Sequence, residues 1–582
     1  MFKKLASCVR EYKKNSILAP IFITFEVLAE VVIPWLMKLL IDRGIDGNSG
    51  NGDLGYILMI GGLLALVCLF SLAMGALSGR HAAIASAGFA KNLRHDMYHH
   101  AQDFAFSNID KFSTASMITR MTTDVTNVQN AFMMIIRSAV RCPAMLLFAL
   151  IMAFTIHAQL ALVFLIAVPF LAVGILVIMR SVHPIFRRAF KRYDKLNLTV
   201  QENLRGIRVV KAFVRESFET EKFKQTSQDI YKDFKKAETI IAFNPALMSF
   251  CSFACITAIS WIGAKIIIAS GGTTMTTGDV VSMLSYVMQI LMSLMMLSMV
   301  SMMIIMSRAS AERIVEILDE DSDLKDPENP VTTVKDGSID FDDVVFSYAR
   351  ESATPVLDHV DLHIRSGETI GILGGTGSSK SSLVQLIPRL YDVKSGAVKV
   401  GGVDVRNYSL EALRGEVSMV LQKTVLFSGS IRDTLRWGNE NATDEEMVRA
   451  CELAQADGFI REFPDGYDTH IEQGGVNVSG GQRQRLCIAR ALLQKPKILI
   501  LDDSTSAVDM HTDALIRKAF ADFIPETTKL IIAQRVASVQ DADRILVLDA
   551  GRISGFGTHA ELLENNNIYR EVYESQVRKE DA

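Results

Sequence analysis

Residues 374–381 read Gly-Gly-Thr-Gly-Ser-Ser-Lys-Ser, between an apolar strand-like run at 369–373 and a helical stretch expected to begin near Ser382. In that setting the backbone N–H groups of Gly374, Gly375, Thr376, Gly377, Ser378 and Ser379, with the helix N-terminus behind them, cradle phosphates. Lys380 reaches the terminal phosphates and the Ser381 hydroxyl suits Mg2+. A second segment, ILILDD at 498–503, is an apolar strand ending in two carboxylates. Asp502 is placed to hold Mg2+, directly or through water, and Asp503 to polarise an attacking water. Between them, 99 residues past Lys380, come Ser479, Gly480, Gly481 and Gln482. A serine hydroxyl and glycine amides at a helix start form a further phosphate-binding surface. Alone this tetrapeptide says little; in this order and spacing the three segments point to nucleoside triphosphate chemistry.

These residues need a scaffold, and the composition describes an uneven one. The 582-residue chain is 49% hydrophobic and 22% charged, with a net charge of −4 and a mean hydropathy of +0.23. Such values exclude a disordered, collagen-like or disulfide-scaffold chain. They also give no bulk positive charge for a nucleic-acid partner. The seven cysteines lie mostly in apolar runs without metal spacing and read as reduced thiols. The apolar excess is concentrated before about residue 308, where six segments are long enough to cross a bilayer: about 17–41, 55–79, 138–159, 160–182, 245–269 and 279–306. Lys3, Lys4, Arg10, Lys13 and Lys14 precede the first, and the long polar stretches 80–137 and 183–237 are rich in Arg and Lys. The positive-inside rule puts these, the N-terminus and everything after Arg308 in the cytosol. Residues 1–318 are expected to form the membrane domain and 319–337, acidic and Pro-containing, a linker. Residues 338–582, where short strand-like runs alternate with helical ones, are expected to form an α/β domain.

With these motifs in hand, the chain resembles the ATP-binding cassette transporters, specifically bacterial half-transporters of the exporter fold. The resemblance runs over nearly the whole length. Its motifs are the phosphate loop 374–382, Gln422 in VLQKTVLFSGSIRDTL, the signature 478–482, the strand 499–503 and the following loop 504–509 that ends in Asp509. The resemblance implies ATP and Mg2+ as cofactors, Gln422 near the metal, Tyr348 stacked on adenine, and helices in 111–129 and 202–223 that dock on the ATPase domain. It also implies an ATPase coupled to alternating access of a membrane cavity.

Three positions depart from the family pattern. Ser379 stands where a glycine precedes the lysine, Asp503 where a glutamate follows the strand aspartate, and Gln534 where a switch-loop histidine is usual. Asp503 is one methylene short, drawing its carboxylate back by roughly 1 Å, a misplacement that can cost about 10²-fold in rate. Gln534 can hydrogen-bond a γ-phosphate but does not titrate. The signature is intact apart from Val478 in place of leucine. The implied assembly is a heterodimer in which this chain's own site is degenerate and slow. Ser479–Gln482 then complete the site of a second half-transporter, which supplies the glutamate and histidine.

In the membrane half, Met288, Met292, Met295, Met299, Met302 and Met306 share one face of span six. That face suits either promiscuous apolar ligands or ordinary helix packing. Glu26 and Glu30 are i,i+4 neighbours inside span one. They read as a cavity wall favouring cations or carrying protons, or as partners for a polar residue of another span. His95, His99 and His100 with Asp96 read as a solvated face, and Arg137 and Arg141 are expected to snorkel to the inner interface. The function read from all this is export of amphipathic or cationic small molecules across a bacterial plasma membrane. Siderophore import, lipid flipping, peptide export and a nucleotide-gated regulatory subunit stand as alternatives.

Overall fold

The computed structural model describes residues 1–46, 52–348 and 354–580. It divides into two compact units, the first formed by Met1–Gln102 and Thr114–Glu320, the second by Asp103–Ser113 and Asp321–Ala582.

Among the described residues of the first unit, six helices are long and apolar enough to cross a membrane: Arg10–Ile45, Leu54–Gln102, Thr114–Ile156, Ala158–Arg205, Glu216–Ser270 and Thr277–Asp319. They are referred to as spans one to six. The second presents Leu58, Leu63, Leu66, Leu69 and Leu72 outward, as a lipid-facing helix does. It meets span one through glycines: a Cβ on Gly88 would lie 2.3 Å from the Tyr12 ring, and one on Gly75 would lie 2.8 Å from Glu26 Oε2. Span six starts at a capping box in which Thr276 Oγ1 accepts from the Asp279 N–H at 3.3 Å. It is then bonded along span one. Ser282 Oγ donates to the Pro34 carbonyl at 2.6 Å and Tyr286 OH to the Val31 carbonyl at 2.8 Å. Pro34 has no N–H, so the Glu30 carbonyl lacks its helical donor. Gln289 Nε2 takes that place at 3.4 Å.

The second unit contains two main sheets. The antiparallel one has the order β2-β1-β4-β5, made of Leu357–Ile364, Ile339–Phe346, Ser395–Val400 and Val403–Asp404. The larger one has the order β12-β11-β3-β10-β9-β6, made of Arg552–Gly557, Arg544–Asp549, Thr369–Gly374, Thr528–Ile532, Ile498–Asp502 and Val417–Val420. Two-residue strands β7 (Gly429–Ser430) and β8 (His470–Ile471) pair separately. All pairs of the larger sheet are parallel except β11–β12. Every residue of β9 and β10 is buried, and β9 accordingly reads as a continuous apolar run up to Asp502, while β10 buries Thr528 and Lys529 ahead of its apolar residues. Register pairs Ile532 with both Ile372 and Asp502, so the carboxyl ends of β3, β10 and β9 lie side by side. That edge is where an open α/β sheet binds ligands. The described residues thus form six long apolar helices followed by an α/β domain.

Candidate functional site

The loop after β3 is shaped by backbone conformations that glycine adopts most easily. Gly374 and Gly377 have φ of +155° and +82°, and a Cβ on Gly374 would lie 2.2 Å from the Leu548 carbonyl oxygen. A Cβ on Gly375 or Gly377 meets nothing within 4 Å, so the loop faces open space where a phosphate can approach. Ser379 is left-handed too, at φ +72° and ψ +22°, a conformation that glycine adopts more easily. Such a conformation costs an L-residue roughly 1–2 kcal/mol. The helix Lys380–Gln385 follows at once.

Lys380 Nζ curls back and donates to the carbonyls of Gly374 and Gly375, both at 2.8 Å. Burial holds its pKa below the ordinary lysine value. Ser381 Oγ donates to Asp502 Oδ1 at 3.0 Å, so the two groups suited to Mg2+ already meet. Burial raises the Asp502 carboxyl above its ordinary value; Ser381 opposes this and the neighbouring Asp503 adds to it. A hydroxyl, a buried carboxylate and a lysine around an open glycine loop fit Mg2+ and a triphosphate chemically. Bound there, Mg-ATP would supply the scissile phosphoanhydride and the charge that Lys380 neutralises.

Asp503 also has a left-handed backbone, φ +50°. Its N–H donates to the Ile532 carbonyl at 3.1 Å, and its Oδ2 accepts from Gln534 Nε2 at 2.9 Å. The loop that carries Gln534 is held from the C-terminal helix: Gln576 Nε2 donates to the Gln534 carbonyl at 2.9 Å, and Gln576 Oε1 accepts from the Val536 N–H at 2.8 Å. Gln422 is exposed, two residues past β6.

Ser479 caps the helix Gly480–Leu493 through a reciprocal box with Gln482, at 3.2 Å and 2.9 Å. Gly481 packs so closely that a Cβ would lie 2.7 Å from the Ala507 carbonyl oxygen. Gln484 joins the same loop, donating to Ser506 Oγ at 3.2 Å and accepting from the Ala507 N–H at 3.0 Å. Asp509 caps the next helix, and the Thr512 N–H holds its pKa below the ordinary carboxylate value.

Tyr348 OH pairs with Ser382 Oγ at 2.9 Å, and the half-exposed ring lies edge-on to Tyr391 at 5.1 Å. Tyr391 in turn donates to Asp110 Oδ2 at 2.9 Å, on the short helix Phe106–Lys111. Tyr391, Asp110, Gln484 and Gln576 escape sequence reasoning because nothing in their local spacing marks a long-range bond.

The membrane half corrects one expectation. Arg141 does not snorkel: it donates to Glu26 Oε1 and to both Glu30 oxygens, at 2.9 and 2.8 Å. A buried carboxylate and a partly buried one in an apolar helix need a cation more than the interface does. Glu30, Arg141, Met288, Met292 and Met296 line a cavity of about 370 Å3. Glu26 lies buried beside Gly75 instead, and Met299 is exposed. Met295 is partly buried. Met296, off the expected methionine face, lines the cavity in their stead.

Residues 16–294 match the family described as ABC transporter transmembrane region, and residues 357–506 the family described as ABC transporter. An uncharacterized ABC transporter ATP-binding protein of Bacillus subtilis, YfiB, is 36% identical over 570 residues, covering 98% of either chain. The chain belongs to the ABC transporters. An ATP-dependent lipid A-core flippase of Desulfotalea psychrophila is 31% identical over 84% of each chain. The fold is shared with a bacterial Atm1-family ABC exporter solved with ATP bound, at a TM-score of 0.83 and 22% identity over 97% of this chain and 99% of that one. As an ABC half-transporter of exporter fold, this chain pairs a multi-pass membrane domain with an ATPase domain coupled to transport.

Proposed function

We propose that this ABC half-transporter is one subunit of a heterodimeric exporter in the plasma membrane of a bacterium, and that its own ATP site is slow. The observation that carries this reading is the Asp503–Gln534 pair. The shortened carboxylate is engaged by an amide donor that cannot take up a proton, which leaves neither residue fit to activate water. In this reading Lys380, Ser381 and Asp502 hold Mg-ATP with the amides of 374–379, Tyr348 stacks on adenine, and Gln422 reaches the metal. Ser479, Gly480, Gly481 and Gln482 close over the ATP of the partner subunit, where that subunit's glutamate and histidine do the chemistry. Asp509 fixes the loop between the two sites. ATP sandwiching then drives the membrane cavity from inward to outward access.

The substrate proposed is an amphipathic or cationic small molecule. Thioethers supply an adaptable apolar wall, while Glu26 and Glu30 against the single Arg141 leave one negative charge in excess. A second reading, transport of a lipid amphiphile, draws on the likeness to the lipid A-core flippase. The test is steady-state ATP turnover of the chain alone and with a co-eluting half-transporter. Low turnover alone and high turnover in the pair is expected; brisk turnover by a pure homodimer refutes the slow-site reading.

A further inference from the structure

The cavity of the membrane unit has a polar end built by spans one, three and six. Glu30, Arg141, Gln289 and Ser293 line it. The orientation of Gln289 is fixed: the Glu30 carbonyl, freed by Pro34, can only accept, so the Gln289 amide nitrogen must face it. The amide oxygen then points the other way, and it is buried without a hydrogen-bond partner. Glu26 Oε2, beside the same arginine, is likewise buried and unpartnered. The Ser293 hydroxyl has spent its hydrogen on the Ile290 carbonyl at 2.8 Å, leaving its oxygen to accept. Arg141 directs both terminal nitrogens at the two carboxylates.

Every unmet group of this set is therefore an acceptor, in surroundings where a missing hydrogen bond costs about 1–3 kcal/mol. The remaining wall is apolar, chiefly Met145, Met288, Met292 and Met296. We propose that the cavity selects cations bearing N–H groups, primary ammonium ions on an apolar body, over quaternary ammonium ions of the same size. The Gln289 amide oxygen, the Ser293 hydroxyl oxygen and the Glu30 carboxylate receive the three N–H donors. A trimethylammonium head carries the same charge but leaves the buried Gln289 amide oxygen without a donor.

This inference rests on the cavity being the substrate site, and the experiment separates the two claims. The full-length chain, in lipid nanodiscs with its co-purifying subunit, is titrated with 4-phenylbutylammonium, with its N,N,N-trimethyl analogue and with neutral 4-phenylbutanol. The primary ammonium is expected to bind about tenfold more tightly than the trimethyl analogue, as one buried acceptor satisfied or left bare implies. Gln289→Leu, which keeps the side chain's bulk but removes the acceptor, should bring the two affinities together by weakening only the primary ammonium. Equal affinities of the two cations in the unmodified protein overturn the N–H selection while leaving the cation reading intact. Tighter binding of the neutral alcohol than of either cation overturns both.

Discussion

Gln534 Nε2 donates a 2.9 Å hydrogen bond to Asp503 Oδ2, and the loops bearing the two residues are tied by the Asp503 N–H to the Ile532 carbonyl at 3.1 Å. The pair is a stable structural contact with no titrating partner for the carboxylate.

On the proposed slow-site reading, Asp503→Asn should lower ATP turnover of the co-purified pair less than about threefold. Gly480→Asp should lower it by more than about tenfold, because a carboxylate would then occupy the surface proposed to meet the partner's phosphate, and losing a single such contact costs about 10²–10³ elsewhere. Misfolding would not explain the second result. An acidic side chain in the first turn stabilises a helix, and a Cβ at Gly480 meets only Ala507 Cβ at 3.5 Å. Steady-state turnover of the co-purified pair checks both, and the opposite ranking refutes the asymmetry.

Ser379 carries a left-handed backbone in a loop whose other positive-φ positions, Gly374 and Gly377, are glycines. Ser379→Gly should stabilise the second unit by about 1 kcal/mol through relief of that strain. Ser379→Ala should not, since alanine keeps the Cβ. A thermal scan of the purified full-length chain, following the transition that responds to ATP, distinguishes strain from loss of the hydroxyl.

Asp502 has a folded-state pKa above its ordinary value, chiefly through burial. A raised carboxyl pKa means that the folded chain holds the proton more tightly than the unfolded one. Its contribution to stability is present below the ordinary value and is lost as pH rises through the folded pKa. At neutral pH the ionised group therefore opposes folding of the nucleotide-free domain. Asp502→Asn is expected to raise the melting temperature without nucleotide at pH 7, to lose that advantage toward acid pH, and to abolish the stabilisation given by Mg-ATP. A scan series over pH with and without Mg-ATP reads all three.

The geometry of the loop after β3 was legible because its determinants are contiguous. Residues 374–381 encode both the glycine conformations and the lysine, and β9 announces itself as an unbroken apolar run ending at Asp502. The six spans were legible for the same reason, through length and hydropathy. What stayed hidden depends on partners distant in the chain. Gln576 holds the switch loop from 40 residues beyond Val536, and Asp110 meets Tyr391 across 281 residues. Arg141 was misjudged because periodicity places a side chain on a helix but does not name the helix opposite. The glutamates of span one were open to a cavity role or a pairing role, and packing gives Arg141 contacts to both.

The same triad yields the sharpest stability prediction. Arg141→Met removes the cation and leaves Glu26 and Glu30 side by side in an apolar setting, an uncompensated buried charge of the kind that costs about 3–5 kcal/mol. Folded yield in membranes should collapse. Replacing all three together, with Glu26→Gln and Glu30→Gln added to Arg141→Met, removes the charges with little change in volume. Because a buried ion pair roughly breaks even against an uncharged replacement, the triple variant should recover most of the folded yield. Detergent-extracted monodisperse protein measured for the four variants Arg141→Met, Glu26→Gln, Glu30→Gln and the triple decides it. If the triple variant is no better folded than Arg141→Met, the arginine contributes by packing and not by pairing. If it is recovered in fold yet no longer binds 4-phenylbutylammonium, the charge excess of the triad is retained for the ligand and not for the fold.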